Sequence, residues 1–132
     1  MKANGAVTAL VSGGFTVITE IIREKLNFDL CYGNTLVVDS SIVTGDLKPP
    51  IIDGNTKAAI LHQECKRLEI SRDDTLAVGD GANDIPMLAK ASLGVGFRPK
   101  PVVKKHVSNI IEHCDLRGVL FLQGFAENEF IT

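Results

Sequence analysis

The stretch Thr75-Leu76-Ala77-Val78-Gly79-Asp80-Gly81-Ala82-Asn83-Asp84-Ile85-Pro86-Met87-Leu88 decides how the rest of the chain is read. Leu76-Ala77-Val78 is a short apolar run of the kind a buried strand uses, and beyond Gly81 the apolar residues Ile85, Leu88 and Ala89 return at helical spacing. A strand therefore passes to a helix through a turn that carries Asp80 at the strand's carboxyl end and Asp84 in the first helical turn. Open α/β sheets place their ligands at that end of the strands. Two carboxylates beside glycines that admit a close backbone suit a hard cation such as Mg²⁺, which keeps several waters and bridges to phosphate. Helix capping uses the same residues: Asn83 or Asp84 can accept from free N–H groups, and Pro86 fits an early helical position. The two uses are compatible.

Upstream, Asp53-Gly54-Asn55-Thr56 opens a helix with capping residues, and Ala58, Leu61, Cys65 and Leu68 form its apolar stripe. Lys57 falls in the first turn, where the helix dipole disfavours a cation. A negative ligand would justify it, and so would a long side chain that bends into solvent. Farther upstream, Ala6 to Val11 reads as a buried strand, followed by the turn Ser12-Gly13-Gly14 and an amphipathic helix with Phe15, Ile18, Ile22 and Leu26 on one face. Glycines between a strand and a helix free N–H groups to meet an anion at the helix N-terminus, with the Ser12 hydroxyl as a further donor. A serine N-cap is the structural alternative.

Between these segments, Phe28 to Asp46 alternates loosely around Gly33-Asn34, Asp39-Ser40-Ser41 and Thr44-Gly45-Asp46, which predicts short strands with a hairpin. Downstream, Leu93-Gly94-Val95-Gly96-Phe97 reads as a strand and Pro101 opens a helix with Val102, Val103, His106 and Val107. Asn109 to Cys114 follows as an edge strand and Leu116 to Phe125 as a last helix; residues 126–132 show no pattern and are expected to be a disordered tail. Strand and helix alternate without repeats, which predicts a single α/β domain over residues 1–132 with a mostly parallel sheet.

Composition narrows the function classes. A chain of 132 residues is long enough for one hydrophobic core, and 45% apolar with 23% charged residues is ordinary for a globular protein. The net charge of −2 leaves no electrostatic footprint for nucleic acid or an anionic membrane. Cys31, Cys65 and Cys114 are scattered and odd in number, against a disulfide framework or structural zinc, and no run reaches the roughly 18 apolar residues of a membrane span. A cytoplasmic location is the default expectation.

The run Gly79-Asp80-Gly81-Ala82-Asn83-Asp84, with Lys57 before it and Ser12-Gly13-Gly14-Phe15 earlier still, resembles the ordered motifs of the haloacid dehalogenase superfamily, and its flanks resemble the phosphoserine phosphatase family within it. The resemblance runs from Leu10 to Val103. It implies a three-layer Rossmann-like core and a phosphomonoesterase that hydrolyses O-phosphoserine to serine and phosphate with Mg²⁺, in serine biosynthesis. It further implies that Ser12, Gly13 and Asn83 bind the phosphate, that the Lys57 ammonium neutralises the reacting groups, and that Asp80 holds the metal with Asp84 in support.

The same resemblance implies two aspartates, a nucleophile that forms an aspartyl-phosphate and an acid-base two positions on, in an Asp-x-Asp motif. The sequence has no Asp-x-Asp. Leu36-Val37-Val38-Asp39-Ser40-Ser41 imitates it superficially, but Ser41 stands where the second aspartate belongs, and a hairpin turn is the better reading of Asp39. Met1-Lys2-Ala3-Asn4-Gly5 reads like the end of a helix. The expectation is a chain whose central nucleophile strand and helical cap lie upstream, and which is marginal as a monomer because its sheet is open. Its partner would be a complementary segment or another copy through the open sheet. A non-catalytic remnant that binds a phosphate ligand or a partner is the alternative; the phosphorylation domain of a cation-pumping ATPase fits less well, because no membrane segment is visible here and Ser12-Gly13-Gly14-Phe15 has a different form from that family's motif.

Overall fold

The computed structural model describes residues 1–130, in two compact units, Met1–Thr56 and a second that begins at Lys57. The first opens with a 3-10 turn, Lys2–Asn4, which stops at Gly5 in the left-handed region with φ 83°. Strand β1 (Ala9–Phe15) leads to helix α1 (Thr16–Leu26), which ends at the left-handed Asn27. Strands β2 (Leu30–Asp39) and β3 (Ile42–Lys48) complete the unit. β2 pairs in parallel with β1 from Ala9↔Leu30 to Val11↔Tyr32, then runs on into an antiparallel hairpin with β3. The hairpin turn is Ser40-Ser41, with φ of 49° and 69°, the backbone that two-residue hairpins require.

Two local expectations change here. Ser12-Gly13-Gly14 is not a turn that follows the strand but an irregularity inside β1, where the register slips between Val11 and Phe15. Glycines tolerate the loss of ladder partners that such a bulge imposes. Gly33-Asn34, read as a turn signal, lies within β2. The apolar stripe of α1 is largely exposed, and the helix's one buried residue is the polar Thr19.

The second unit holds most of α2 (Gly54–Arg67), which Asp53 caps by accepting the Thr56 N–H at 2.7 Å. It continues with β4 (Leu76–Gly79), a 3-10 turn at Ala82–Asp84, α3 (Ile85–Lys90), β5 (Leu93–Phe97), α4 (Pro101–Lys104), β6 (Asn109–Ile111) and α5 (Gly118–Leu122). The strands form a parallel sheet in the order β4-β5-β6. Alternation along them separates two apolar clusters. Ala77 joins Ala58, Met87, Leu88, Ala91 and Val103 in one, whereas Leu76, Val78 and Val95 pack with Ile111 and Val119 in the other. Helices thus cover both faces of the sheet, as a parallel sheet demands. Burying a Val or Leu side chain in such clusters stabilises by about 1.5–3 kcal/mol.

The buried face of α2 is rotated from the expected stripe: Lys57, Ala58, Ile60 and Glu64 are buried, while Leu61 is only partly so. Apolar spacing alone hides this, because Lys57 and Glu64 enter the interior as members of ion pairs, Lys57 with Asp84 and Glu64 with Arg67. In the tail, Glu127–Glu129 forms a 3-10 turn and the Phe130 ring lies 5.1 Å from that of Phe121, centroid to centroid; residues 131 and 132 of the expected tail lie outside the described residues. Among the described residues no helix is long and apolar enough to cross a membrane.

Candidate active site

The carboxyl end of β4 gathers the second unit's polar residues. Asp84 folds back from its 3-10 turn so that Oδ2 accepts the Asp80 and Gly81 N–H groups, both at 3.0 Å, while Oδ1 accepts Lys57 Nζ at 2.7 Å. This fold-back needs Gly79: a Cβ there would stand 2.4 Å from the Asp84 Cβ. Lys57 and Asp84 are 6% and 5% exposed. Burial pushes the Asp84 carboxyl up, but the Lys57 ammonium and the Gly81 and Asp80 N–H groups outweigh it and hold the group below its ordinary value. The Asp84 carboxylate therefore stays ionised, with both of its oxygens committed.

Asp80 and Asn83 stand on the exposed side of the same turn. The Lys100 N–H donates to the Asp80 carbonyl at 2.9 Å and so ties the segment after β5 to the site. Sequence reading gave Lys100 no such part; its signal was the flanking prolines Pro99 and Pro101, which fix the path of that segment. For a metal, the donor set is lean. With Asp84 committed, Asp80 supplies the free carboxylate, and among the described residues no three His, Cys, Asp or Glu side chains cluster to hold an ion. That fits Mg²⁺, which takes one or two carboxylates and otherwise keeps water and phosphate oxygens, better than a cation needing an all-protein cage. Asp84 fits as the support that holds the turn.

In the first unit, the bulge in β1 presents Ser12 and Gly13. Ser12 Oγ accepts the Gly14 N–H at 3.0 Å, Asn34 Nδ2 donates to the Gly13 carbonyl at 2.8 Å, and Asn34 Oδ1 accepts the Ile52 N–H at 2.8 Å. Ser12 is not the N-cap of α1: that position belongs to Phe15, and no side chain caps the helix. Gly33 lets β2 close on this loop, since a Cβ there would meet Thr19 Oγ1 at 2.8 Å and the Gly14 carbonyl at 3.1 Å. Sequence reading missed Asn34, whose signal, an Asn in a strand, is indistinguishable from a turn residue until the pairing is known. Asp39 lies exposed at the end of β2, where Ser40 Oγ donates to its Oδ1 at 3.2 Å, as the hairpin reading expects.

The family model for haloacid dehalogenase-like hydrolases matches residues 1–89. The chain is 42% identical over 120 residues to the phosphoserine phosphatase of Methanocaldococcus jannaschii, covering 91% of this chain and 57% of that one. Among solved structures, it is similar to a haloacid dehalogenase family hydrolase from Salmonella enterica, with TM-score 0.87 and 32% identity over 98% of this chain and 43% of the other. It is also similar to a substrate-bound phosphoserine phosphatase complex, with TM-score 0.84 and 42% identity over 92% of this chain and 58% of the other. The chain spans about half the length of the curated relatives it matches, 57% and 44% of the first two. The parallel sheet with helices on both faces, the mixed sheet with its hairpin and the family match agree, and the chain belongs to the haloacid dehalogenase-like hydrolases.

Proposed function

We propose that this chain carries the phosphate- and metal-binding part of a phosphoserine phosphatase, acting in the Mg²⁺-dependent hydrolysis of O-phosphoserine to serine and phosphate, a step of serine biosynthesis in the cytoplasm. The observation that carries the reading is the buried Lys57–Asp84 pair at the carboxyl end of β4, 2.7 Å long and held by the Asp80 and Gly81 N–H groups. A buried lysine beside an open carboxylate turn suits a dianionic phosphoryl group, because attraction between opposite charges is stronger away from bulk water. The relatives named phosphoserine phosphatase support the substrate class.

The roles follow residue by residue. Ser12 and Gly13 donate to phosphate oxygens from the bulge in β1, Asn83 donates from the β4 turn, and Lys57 neutralises negative charge in the ground and transition states. Asp84 positions Lys57 and keeps the turn closed. A bound Mg²⁺ on Asp80 would offset the charge of the phosphoryl group. The nucleophilic aspartate and the acid-base that the reaction needs have no counterpart among these 132 residues, and a complementary segment bearing Asp-x-Asp is the proposed source.

The test is phosphate release from O-phosphoserine with Mg²⁺ by the purified chain, alone and mixed with such a segment, beside an Asp80→Asn control. Turnover only in the mixture, abolished by the control, is expected. Turnover by the chain alone would overturn the division of roles, and phosphate binding with no turnover in either case would favour a binding protein.

A further inference from the structure

Asn34 does something in the first unit that a strand residue is not required to do. It is 5% exposed on β2, opposite Phe15, at the point where the β1–β2 register has slipped. Its amide spans two separate segments: Nδ2 donates to the Gly13 carbonyl and Oδ1 accepts the Ile52 N–H, each at 2.8 Å. The two partners fix the amide's orientation, since a carbonyl needs a donor and an N–H an acceptor. The bulge leaves the Gly13 carbonyl without its place in the strand ladder, and the Asn34 side chain replaces that partner.

The consequence reaches Ser12. The Gly13 carbonyl and the Gly14 N–H are two ends of one planar peptide unit. Asn34 holds the carbonyl end, and the N–H end donates to Ser12 Oγ at 3.0 Å. With Oγ engaged as an acceptor, the Ser12 hydroxyl proton is left to donate elsewhere. We infer that Asn34 is a positioning residue for phosphate binding: through the Gly13–Gly14 peptide it orients the Ser12 hydroxyl as an outward donor to a phosphate oxygen. This rests on the reading of Ser12 and Gly13 as phosphate-binding residues. The amide chemistry is specific. Asp would set an oxygen against the Gly13 carbonyl, and Leu would orphan both that carbonyl and the Ile52 N–H.

Inorganic phosphate, titrated into the ¹⁵N-labelled chain and followed by amide shifts, is the probe. In the unsubstituted chain the Gly13 and Gly14 amides should move, and the Asn34 side-chain NH₂ should move with the same midpoint. Asn34→Asp should weaken phosphate about tenfold, as the loss of one oriented hydrogen bond would. Because Asn34 acts through Ser12, the Asn34→Asp/Ser12→Ala double variant should bind no more weakly than Ser12→Ala alone. Additive losses, or an Asn34→Asp affinity within about twofold of the original, would overturn the inference while leaving the phosphate site intact. If Asn34→Asp does not fold, the unsubstituted chain still decides: an Asn34 NH₂ that stays silent while Gly14 moves refutes the role. Silence of Gly13 and Gly14 themselves would instead sink the phosphate reading, and the inference with it.

Discussion

Lys57 occupies a first-turn position that the helix dipole disfavours and an interior that disfavours charge, so its partner must offset both costs. Asp84 does so at 2.7 Å, with two N–H groups sharing the carboxylate's charge. Removing one member leaves the other buried and alone. Lys57→Met should therefore destabilise the chain by about 3–5 kcal/mol in urea unfolding, and Lys57→Met/Asp84→Leu by much less. A single-variant loss below about 1 kcal/mol would show the pair to be solvated rather than buried. A second carboxylate gives a pH test at the surface. The Lys2 ammonium and then the Thr8 N–H and hydroxyl hold Asp29 down to about 2 from an ordinary 3.8. A depressed carboxyl lends stability that is complete above its unfolded-state value and is lost as pH falls through the folded one, so Asp29 should matter between about pH 4 and 2. An NMR titration of its side-chain carboxyl should give a midpoint near 2 that rises in Lys2→Met; an ordinary midpoint would deny the contact.

Elements differ in how far the sequence disclosed them, and the difference is one of range. β4, its turn and α3 were legible because their signals are local: an apolar run, glycines, and Asp84 three residues from Gly81, close enough to cap it. The β2–β3 hairpin was legible for the same reason, through Ser40-Ser41. The bulge in β1, the rotated face of α2 and the place of Asn34 were not, because each depends on a partner distant in sequence: β2 for the bulge, Asp84 for Lys57, Ile52 for Asn34. Gly94 in β5 shows how closely a strand glycine lets a neighbouring helix approach. A Cβ on it would sit 2.2 Å from the Leu88 carbonyl oxygen of α3, a backbone atom that cannot swing aside. Gly94→Ala must separate α3 from β5 and should cost about 1–3 kcal/mol or more, with the Val95 and Leu88 amides losing protection together. Gly13→Ala, whose Cβ would rest 3.6 Å from the Ile52 carbonyl, has room and should fold normally. Equal stability of the two variants would mean that the close approach of α3 to β5 is not a constraint.

Across the molecule, burial is distributed unevenly, and stability should be too. The largest fully buried side chains, Val95 and Val103, both belong to the second unit, where apolar clusters line each face of the β4-β5-β6 sheet. In the first unit the buried residues are Ile52 and the polar Thr19 and Asn34, while Val17, Ile18, Ile21 and Leu26 of α1 are exposed. Regions with few buried apolar side chains open at lower free energy than the core. Native-state hydrogen exchange should accordingly find the β4 and β5 amides slower than those of β1 and β2 by at least about tenfold, the ratio that 1.4 kcal/mol of local stability produces once intrinsic rates are removed. If phosphate binds at Ser12 and Gly13, it binds the closed form of the softer unit, and saturating phosphate should slow β1 and β2 exchange in proportion to its concentration over its dissociation constant. Uniform protection across both units without phosphate would contradict the burial argument, and unchanged β1 and β2 exchange at saturation would place the anion elsewhere.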